Sequence, residues 1–164
     1  MNIGFGYDVH PLIEGGTLIL GGTQIPFHKG LKGHSDADVL THAIMDALLG
    51  AAGLHDIGKH FPSTDPTYKN ISSLILLQEV NRLIREKGFK INNIDSTIVA
   101  EQPKLLPFID KMRNNLSTTL EISMDQIMIK ATTTDGLGFI GEKLGIAAFA
   151  IASVTDINIL NWHK

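Results

Sequence analysis

Hydrophobic spacing along this chain switches several times between the two-residue repeat of a strand and the 3.6-residue repeat of a helix. Ile3 to Val9 reads as a strand, and Thr17–Leu20 and Thr23–Pro26 flank Gly21-Gly22 as a hairpin. Ser35 to Ala52 reads as a helix, with Ser35 and Asp38 as a capping-box variant, an apolar face through Val39, Ala43, Leu48 and Leu49, and Gly53 as its stop. The Gly-, Pro- and Asp-rich stretch His55–Pro66 predicts a loop. Ser72–Lys87 predicts a second helix through Ile75, Leu76, Val80, Leu83 and Ile84, stopped by Gly88. A strand over Asn93–Glu101, a helix over Leu106–Leu120 and a strand over Gln126–Ala131 follow. Leu144–Val154 is nearly continuously apolar and predicts a strand buried on both faces. The sum is an α+β, two-layer domain: a mixed β-sheet with helices on one face.

The chain has 164 residues, 43% of them hydrophobic, enough for one domain with a real core. Fourteen Lys and Arg against seventeen Asp and Glu leave a net charge of −3, which argues against a nucleic-acid partner. With no cysteine there is neither disulfide nor thiolate chemistry. No apolar run has the roughly 18 residues of a membrane span. The first residues lack the basic start of a signal peptide, so the expectation is a cytoplasmic protein, or a plastid-type one if a transit peptide was removed.

Asp8 and His10 are two apart on a predicted strand and share a face. His42 lies on the first predicted helix. One carboxylate and two imidazoles make three ligands, the usual protein share of a catalytic zinc site with one open position. Asp46, one turn after His42, can accept its other N–H, and Asp38 is the alternative. Gly33-His34-Ser35 falls where the helix starts, so a phosphate can dock on Ser35 and free amides, with His34 donating. Thr132-Thr133-Thr134-Asp135 leaves a strand end with hydroxyls and a carboxylate that suit phosphate and a hard cation such as magnesium. Ala100-Glu101-Gln102-Pro103-Lys104 is another strand exit, with Lys104 available to a phosphate. The stretch from Asp56-Ile57-Gly58 to Phe61-Pro62-Ser63-Thr64-Asp65 is long enough to close over a ligand.

Together, Gly6–His10, Gly33–Asp38, His42 through Asp46–Ala52, Asp56–Gly58, Phe61-Pro62, Pro103-Lys104 and Lys130–Thr134 resemble the 2-C-methyl-D-erythritol 2,4-cyclodiphosphate synthase family of the non-mevalonate isoprenoid pathway. The resemblance covers residues 1–156 as one synthase domain and leaves 157–164 as a C-terminal tail. It implies a homotrimer with a β-prism-like core and active sites between subunits. The substrate would be 4-diphosphocytidyl-2-C-methyl-D-erythritol 2-phosphate, whose 2-phosphate attacks the β-phosphorus and expels CMP. It implies one zinc per subunit on Asp8, His10 and His42, and magnesium or manganese on the diphosphate, with Asp135 as a metal ligand. His34 and Thr133 would stabilise the transition state. Asp56 and the loop Phe61, Pro62, Ser63, Thr64 and Asp65 would hold the erythritol end, and Asp8, Val9, His10, His34, Ser35, Ile57 and Gly58 would also bind substrate. Ala100, Glu101, Gln102, Pro103, Lys104, Leu105, Leu106, Thr132, Thr133, Thr134 and Asp135 would hold the cytidine diphosphate.

Two positions depart from the family pattern. Asp135 stands where glutamate is usual, and Glu142 where arginine is common. The resemblance places Phe139 and Glu142 at a phosphate-binding cavity on the trimer axis, where glutamate would repel an isoprenoid diphosphate. Two other functions fit the triad. A zinc phosphohydrolase would put water in the open position, and a trimeric binding protein would keep the metal for structure, although the missing fourth protein ligand argues against that.

Overall fold

The computed structural model describes residues 1–157. The first strand, β1, runs over Asn2–Glu14, well past the predicted Val9. A hairpin, β2 (Leu18–Leu20) and β3 (Thr23–Ile25), turns at Gly21 and Gly22 with φ of 53° and 64°. Positive φ at both turn residues suits the twist of a tight hairpin and is cheap only for glycine or Asn/Asp. A short strand, β4 (Lys29–Leu31), follows and pairs antiparallel with the end of β1. After it come the helices α1 (Val39–Ala52), α2 (Ile57–His60) and α3 (Ser73–Glu86). Strand β5 (Phe89–Val99), helix α4 (Ile109–Leu120) and strand β6 (Ile127–Thr132) make a βαβ unit, and the short α5 (Gly138–Gly141) leads into β7 (Gly145–Asp156).

The main sheet has the order β4-β1-β7-β5-β6. β7 pairs antiparallel with both β1 and β5, while β5 and β6 are parallel. The sheet is therefore mixed, as expected, with α1 packed on β1 and β7 and α4 on β6. Two glycines set how close α1 comes. A Cβ on Gly4 would lie 2.0 Å from the Ala47 carbonyl oxygen, and one on Gly6 1.9 Å from that of Ala43. Even-numbered positions of β1 thus face the helix, and Asp8 and His10 continue that row beyond the glycines.

Four expectations need correction. β7 is not buried on both faces of this chain. Ile146, Ala148, Ala150, Ala152 and Val154 are buried toward the helices, but Phe149 and Ile151 are 39% and 51% exposed. They join Ile3, Phe5, Tyr7 and Val9 of β1 in an open apolar face, with the Tyr7 and Phe149 rings 4.9 Å apart. Helix α1 begins at Val39, four residues late. Its N-cap is Asp38, which accepts from Thr41 N at 3.0 Å and also takes the hairpin amides of Gly21 and Gly22. Ser35 is therefore not a cap. The predicted 55–66 loop contains α2, capped by Asp56. β5 starts four residues early, because Phe89 and Lys90 pair with Asp156 and Thr155, and ends at Val99, whose pairing with Ala147 is the last on that side. Of the predicted tail, all but Ile157 lies outside the described residues.

Candidate active site

β1 and α1 bring Asp8, His10 and His42 together. Asp8 Oδ2 is 2.9 Å from both His10 Nε2 and His42 Nδ1, and the two nitrogens are 3.2 Å apart. Ligand atoms on a tetrahedral zinc are separated by about 3.4 Å, given bonds near 2.1 Å. The far side of each ring fixes which nitrogen carries the proton. His10 Nδ1 donates to the Lys32 carbonyl at 2.9 Å, so its Nε2 offers a lone pair. His42 Nε2 faces Ser73 Oγ at 3.0 Å and Ser35 Oγ at 3.1 Å. The Ser73 hydroxyl gives its own proton to Asp36, so it accepts from His42, and Nδ1 is left with the lone pair. Two lone pairs and a carboxylate oxygen at these distances repel unless a cation or a shared proton lies among them. The donor set therefore fits a metal ion, and these three residues can hold one.

Where a proton takes the place of a cation, the same contacts become hydrogen bonds to Asp8. Burial alone would raise the Asp8 carboxyl, but hydrogen bonds and charge from His10 and His42 outweigh it and hold the group well below the usual carboxylate range. Burial works against a charged His10, yet the hydrogen bond and charge of Asp8 raise its pKa above the ordinary imidazole value.

Neither predicted orienting carboxylate serves His42. Asp46 accepts from Ile57 N at 2.8 Å, and Asp38 is occupied by Gly21, Gly22 and Thr41. The helix start is also no phosphate site, since Asp38 occupies it and Val39, Leu40 and Thr41 are buried. Ser35 and His34 nevertheless reach the triad's cavity.

That cavity, about 290 Å³, is lined by the triad, His34, Ser35, Ile57, Gly58, Phe61 and Ser63. Met45, Tyr68 and Leu76 also line it, and sequence reading missed them. His34 Nε2 donates to the Asp65 carbonyl at 3.1 Å, and Asp65 caps the turn Pro66–Tyr68. Asp56, Pro62, Thr64 and the Asp65 side chain belong to the same loop without lining the cavity. Val9 points to the opposite, open face.

A second, larger groove of about 890 Å³ is lined by Ala100, Glu101, Gln102, Pro103, Lys104, Leu105 and Leu106, with Thr132 and Thr133. Ile109, Asp110, Arg113 and residues 128–131 complete it. Both of its loops leave the carboxyl ends of the parallel pair β5 and β6, a common position for ligands in parallel sheets. Glu101 Oε1 accepts from Thr134 N at 2.8 Å and Thr134 Oγ1 at 3.1 Å, joining the two loops, and these bonds lower its pKa. Thr133 Oγ1 donates to Asp135 at 3.2 Å. Asp135 is not part of the triad cluster. Phe139 and Glu142 line neither space. Both are exposed beside β7.

The cavity and the groove share no lining residue. His10 pairs with Ile146, Ala147 with Val99, and Val99 with Thr132. The two sites thus sit at one end of the sheet, three strand spacings or about 14 Å apart.

Residues 1–155 match the YgbB family. The chain is 59% identical to the 2-C-methyl-D-erythritol 2,4-cyclodiphosphate synthase of Carboxydothermus hydrogenoformans, over 96% of each chain. It is 61% identical to that of Clostridium botulinum (strain Alaska E43), over 94% of this chain and 98% of the relative. Among solved structures, the bifunctional IspDF of Campylobacter jejuni superposes with a TM-score of 0.91 at 45% identity, covering 96% of this chain and 43% of that one. IspF of Plasmodium falciparum, solved as a CDP complex, gives 0.81 at 38% identity, over 93% and 94%.

Proposed function

The chain belongs to the YgbB family, and from that premise we propose how it works as a 2-C-methyl-D-erythritol 2,4-cyclodiphosphate synthase. It is a phosphorus–oxygen lyase of the non-mevalonate isoprenoid pathway. It converts 4-diphosphocytidyl-2-C-methyl-D-erythritol 2-phosphate to the cyclic diphosphate and CMP. An oxygen of the 2-phosphate forms a bond to the β-phosphorus, the bond from that phosphorus to the bridging oxygen breaks, and CMP leaves. The nucleophile belongs to the substrate, so no side chain need become covalently attached.

The protein's task is to bring two anions together and neutralise them. Asp8, His10 and His42 would hold zinc, which when bound supplies Lewis acidity at a phosphoryl oxygen. The single observation that carries this reading is the convergence of their three ligand atoms within 2.9–3.2 Å. His34, with Nε2 committed to Asp65, would meet a phosphate through Nδ1 when protonated. Ser35, Ile57, Gly58, Phe61 and Ser63 would enclose the methylerythritol, with Asp56, Pro62, Thr64 and Asp65 shaping the loop. Residues 100–106 would take the cytidine, and Lys104 and Thr132–Thr134 the diphosphate. Asp135, an exposed carboxylate beside Thr133, suits magnesium or manganese, which commonly binds through one protein carboxylate and substrate phosphates.

The finer assembly is a homotrimer. The open apolar face supports it, since each large apolar side chain gains about 1.5–3 kcal/mol on burial. So does the distance of about 14 Å between cavity and groove, which a neighbouring subunit's groove can close. In a trimer with Phe139 and Glu142 at its axis, three carboxylates would repel an isoprenoid diphosphate. Weak geranyl diphosphate binding that strengthens in Glu142→Arg, read by calorimetry, is the expected result. We read residues 1–156 as one domain. Among the described residues no helix is long and apolar enough to cross a membrane, and we take the enzyme to act in the cytoplasm.

Phosphorus NMR with the substrate tests the reaction. Cyclic diphosphate with CMP is expected. Free phosphate would mean a hydrolase, and unchanged substrate a binding protein. The close relatives do not favour the hydrolase.

A further inference from the structure

Behind His42 lies a pair of residues that the proposed reaction does not use. Ser73, at the start of α3, is fully buried. Its backbone N donates to Asp36 Oδ2 at 2.9 Å, and its hydroxyl donates to Asp36 Oδ1. Asp36 also accepts from Asp38 N at 3.2 Å, and its own N donates to the Ile71 carbonyl at 3.1 Å. Both Asp36 oxygens thus face donors, and the carboxylate fixes the direction of the Ser73 hydroxyl. With its proton committed, Ser73 Oγ can only accept from His42 Nε2, 3.0 Å away. Ser35 Oγ lies at a similar distance from the same nitrogen, but it is only partly buried, and its contact with an amide is a long 3.4 Å. Among the described residues its hydroxyl proton has no such fixed partner, so it is available to a ligand in the cavity.

We propose that Asp36 and Ser73 are positioning residues for the triad: a carboxylate–serine–histidine relay that holds the proton of His42 on Nε2 and leaves the Nδ1 lone pair for the metal. Outer partners of metal-bound histidines commonly fix the tautomer and ring orientation, and their loss costs about 10- to 100-fold in metal affinity. Here the partner is a hydroxyl, and its polarity is set one residue further away.

The relay makes an unusual prediction for Asp36→Asn, which preserves shape. The new amide NH2 must face either the Ser73 N–H, 2.9 Å away, or the side of the Ser73 hydroxyl, where the Asp38 N–H also lies at a longer 3.2 Å; the second placement costs the weaker amide bond, and there the hydroxyl can turn round. Turned, it donates to His42 Nε2, drives the ring proton to Nδ1 and removes the ligand lone pair. The inference rests on the metal reading of the triad, so the experiment begins with zinc-loaded, unmutated full-length protein in a chelator competition. Failure of that protein to hold zinc would defeat the metal reading itself.

If it binds, Ser73→Ala and Asp36→Asn are each expected to hold zinc about 10- to 100-fold more weakly. The visible absorption band of the cobalt-substituted forms should shift, while thermal melting in excess zinc shows them folded. Folded variants that hold zinc within about twofold of the unmutated chain, with an unchanged cobalt band, would overturn the relay. Should either variant fail to fold, nitrogen-15 NMR of the zinc-loaded unmutated protein decides. A His42 Nε2 proton protected from solvent exchange is expected, and one that exchanges freely would overturn the proposal.

Discussion

The triad cavity and the 100–106 groove lie at the same end of one sheet and are built in opposite ways. Both triad histidines are held from behind, His10 by the Lys32 carbonyl and His42 by Ser73, and Asp8 is fixed by its place on β1. The three ligands stand on a strand and a helix pressed together, and residues 57–68 complete the wall. The groove is three times larger, opens between two loops, and has exposed Lys104 and Thr133 at its rim. Thr133 is tied only locally, to Asp135. Rigid convergence is what a metal needs, since its bonds tolerate only a few tenths of an ångström. A nucleotide is larger and brings its own hydrogen-bonding groups, so a loop-lined groove is sufficient.

The contrast is sharpest in His42→Ala. It should abolish zinc binding and lower turnover by about a hundredfold or more, the scale of losing a main electrostatic stabiliser, while CMP still binds the groove. Zinc found in the purified variant by metal analysis would contradict the ligand assignment. Phe149→Glu attacks the arrangement by which one chain's cavity meets a neighbour's groove. A charge on the open apolar face opposes association, so light scattering should show a monomer that keeps its zinc and loses activity with its trimer. A monomer mass for the unmutated protein at micromolar concentration would remove the basis for this prediction.

Lys104→Ala and Thr133→Ala test the groove from the other side. Each removes one hydrogen bond to a charged group, worth about 10- to 100-fold. Turnover should fall by that much and zinc content should not change. Loss of zinc in either variant would show that the two sites are not independent. The smallest expected effect comes from acid. His10 has a raised pKa, so below it a proton competes with the metal for Nε2. As pH falls, apparent zinc affinity should drop about tenfold per unit, beginning above the ordinary imidazole value near 6.5, and CMP affinity should stay level.

Much of this was legible in the sequence because it is local. Asp8 and His10 alternate on a strand, and the threonines and the 100–104 stretch follow predicted strands. What escaped reading depends on contacts between distant segments. Ser73 meets His42 across 31 residues, and in the sequence it is only the second residue of a predicted helix. Asp38 reads from spacing as the alternative partner for His42, yet the hairpin amides 16 and 17 residues earlier claim it. That claim also moved the helix start, because a carboxylate satisfied from two directions ends the loop where it sits. The double-sided burial expected of β7 failed in the single chain for a related reason. Periodicity reports that a strand face is apolar and says nothing of which molecule covers it.

The glycines at positions 4 and 6 carry a lesson for anyone transplanting this triad onto another scaffold. They act as a spacer gauge. With any larger residue the helix must retreat from β1, and His42 would travel with it while Asp8 and His10 stayed behind. Copying three ligands would therefore fail unless two residues that touch no ligand were copied first.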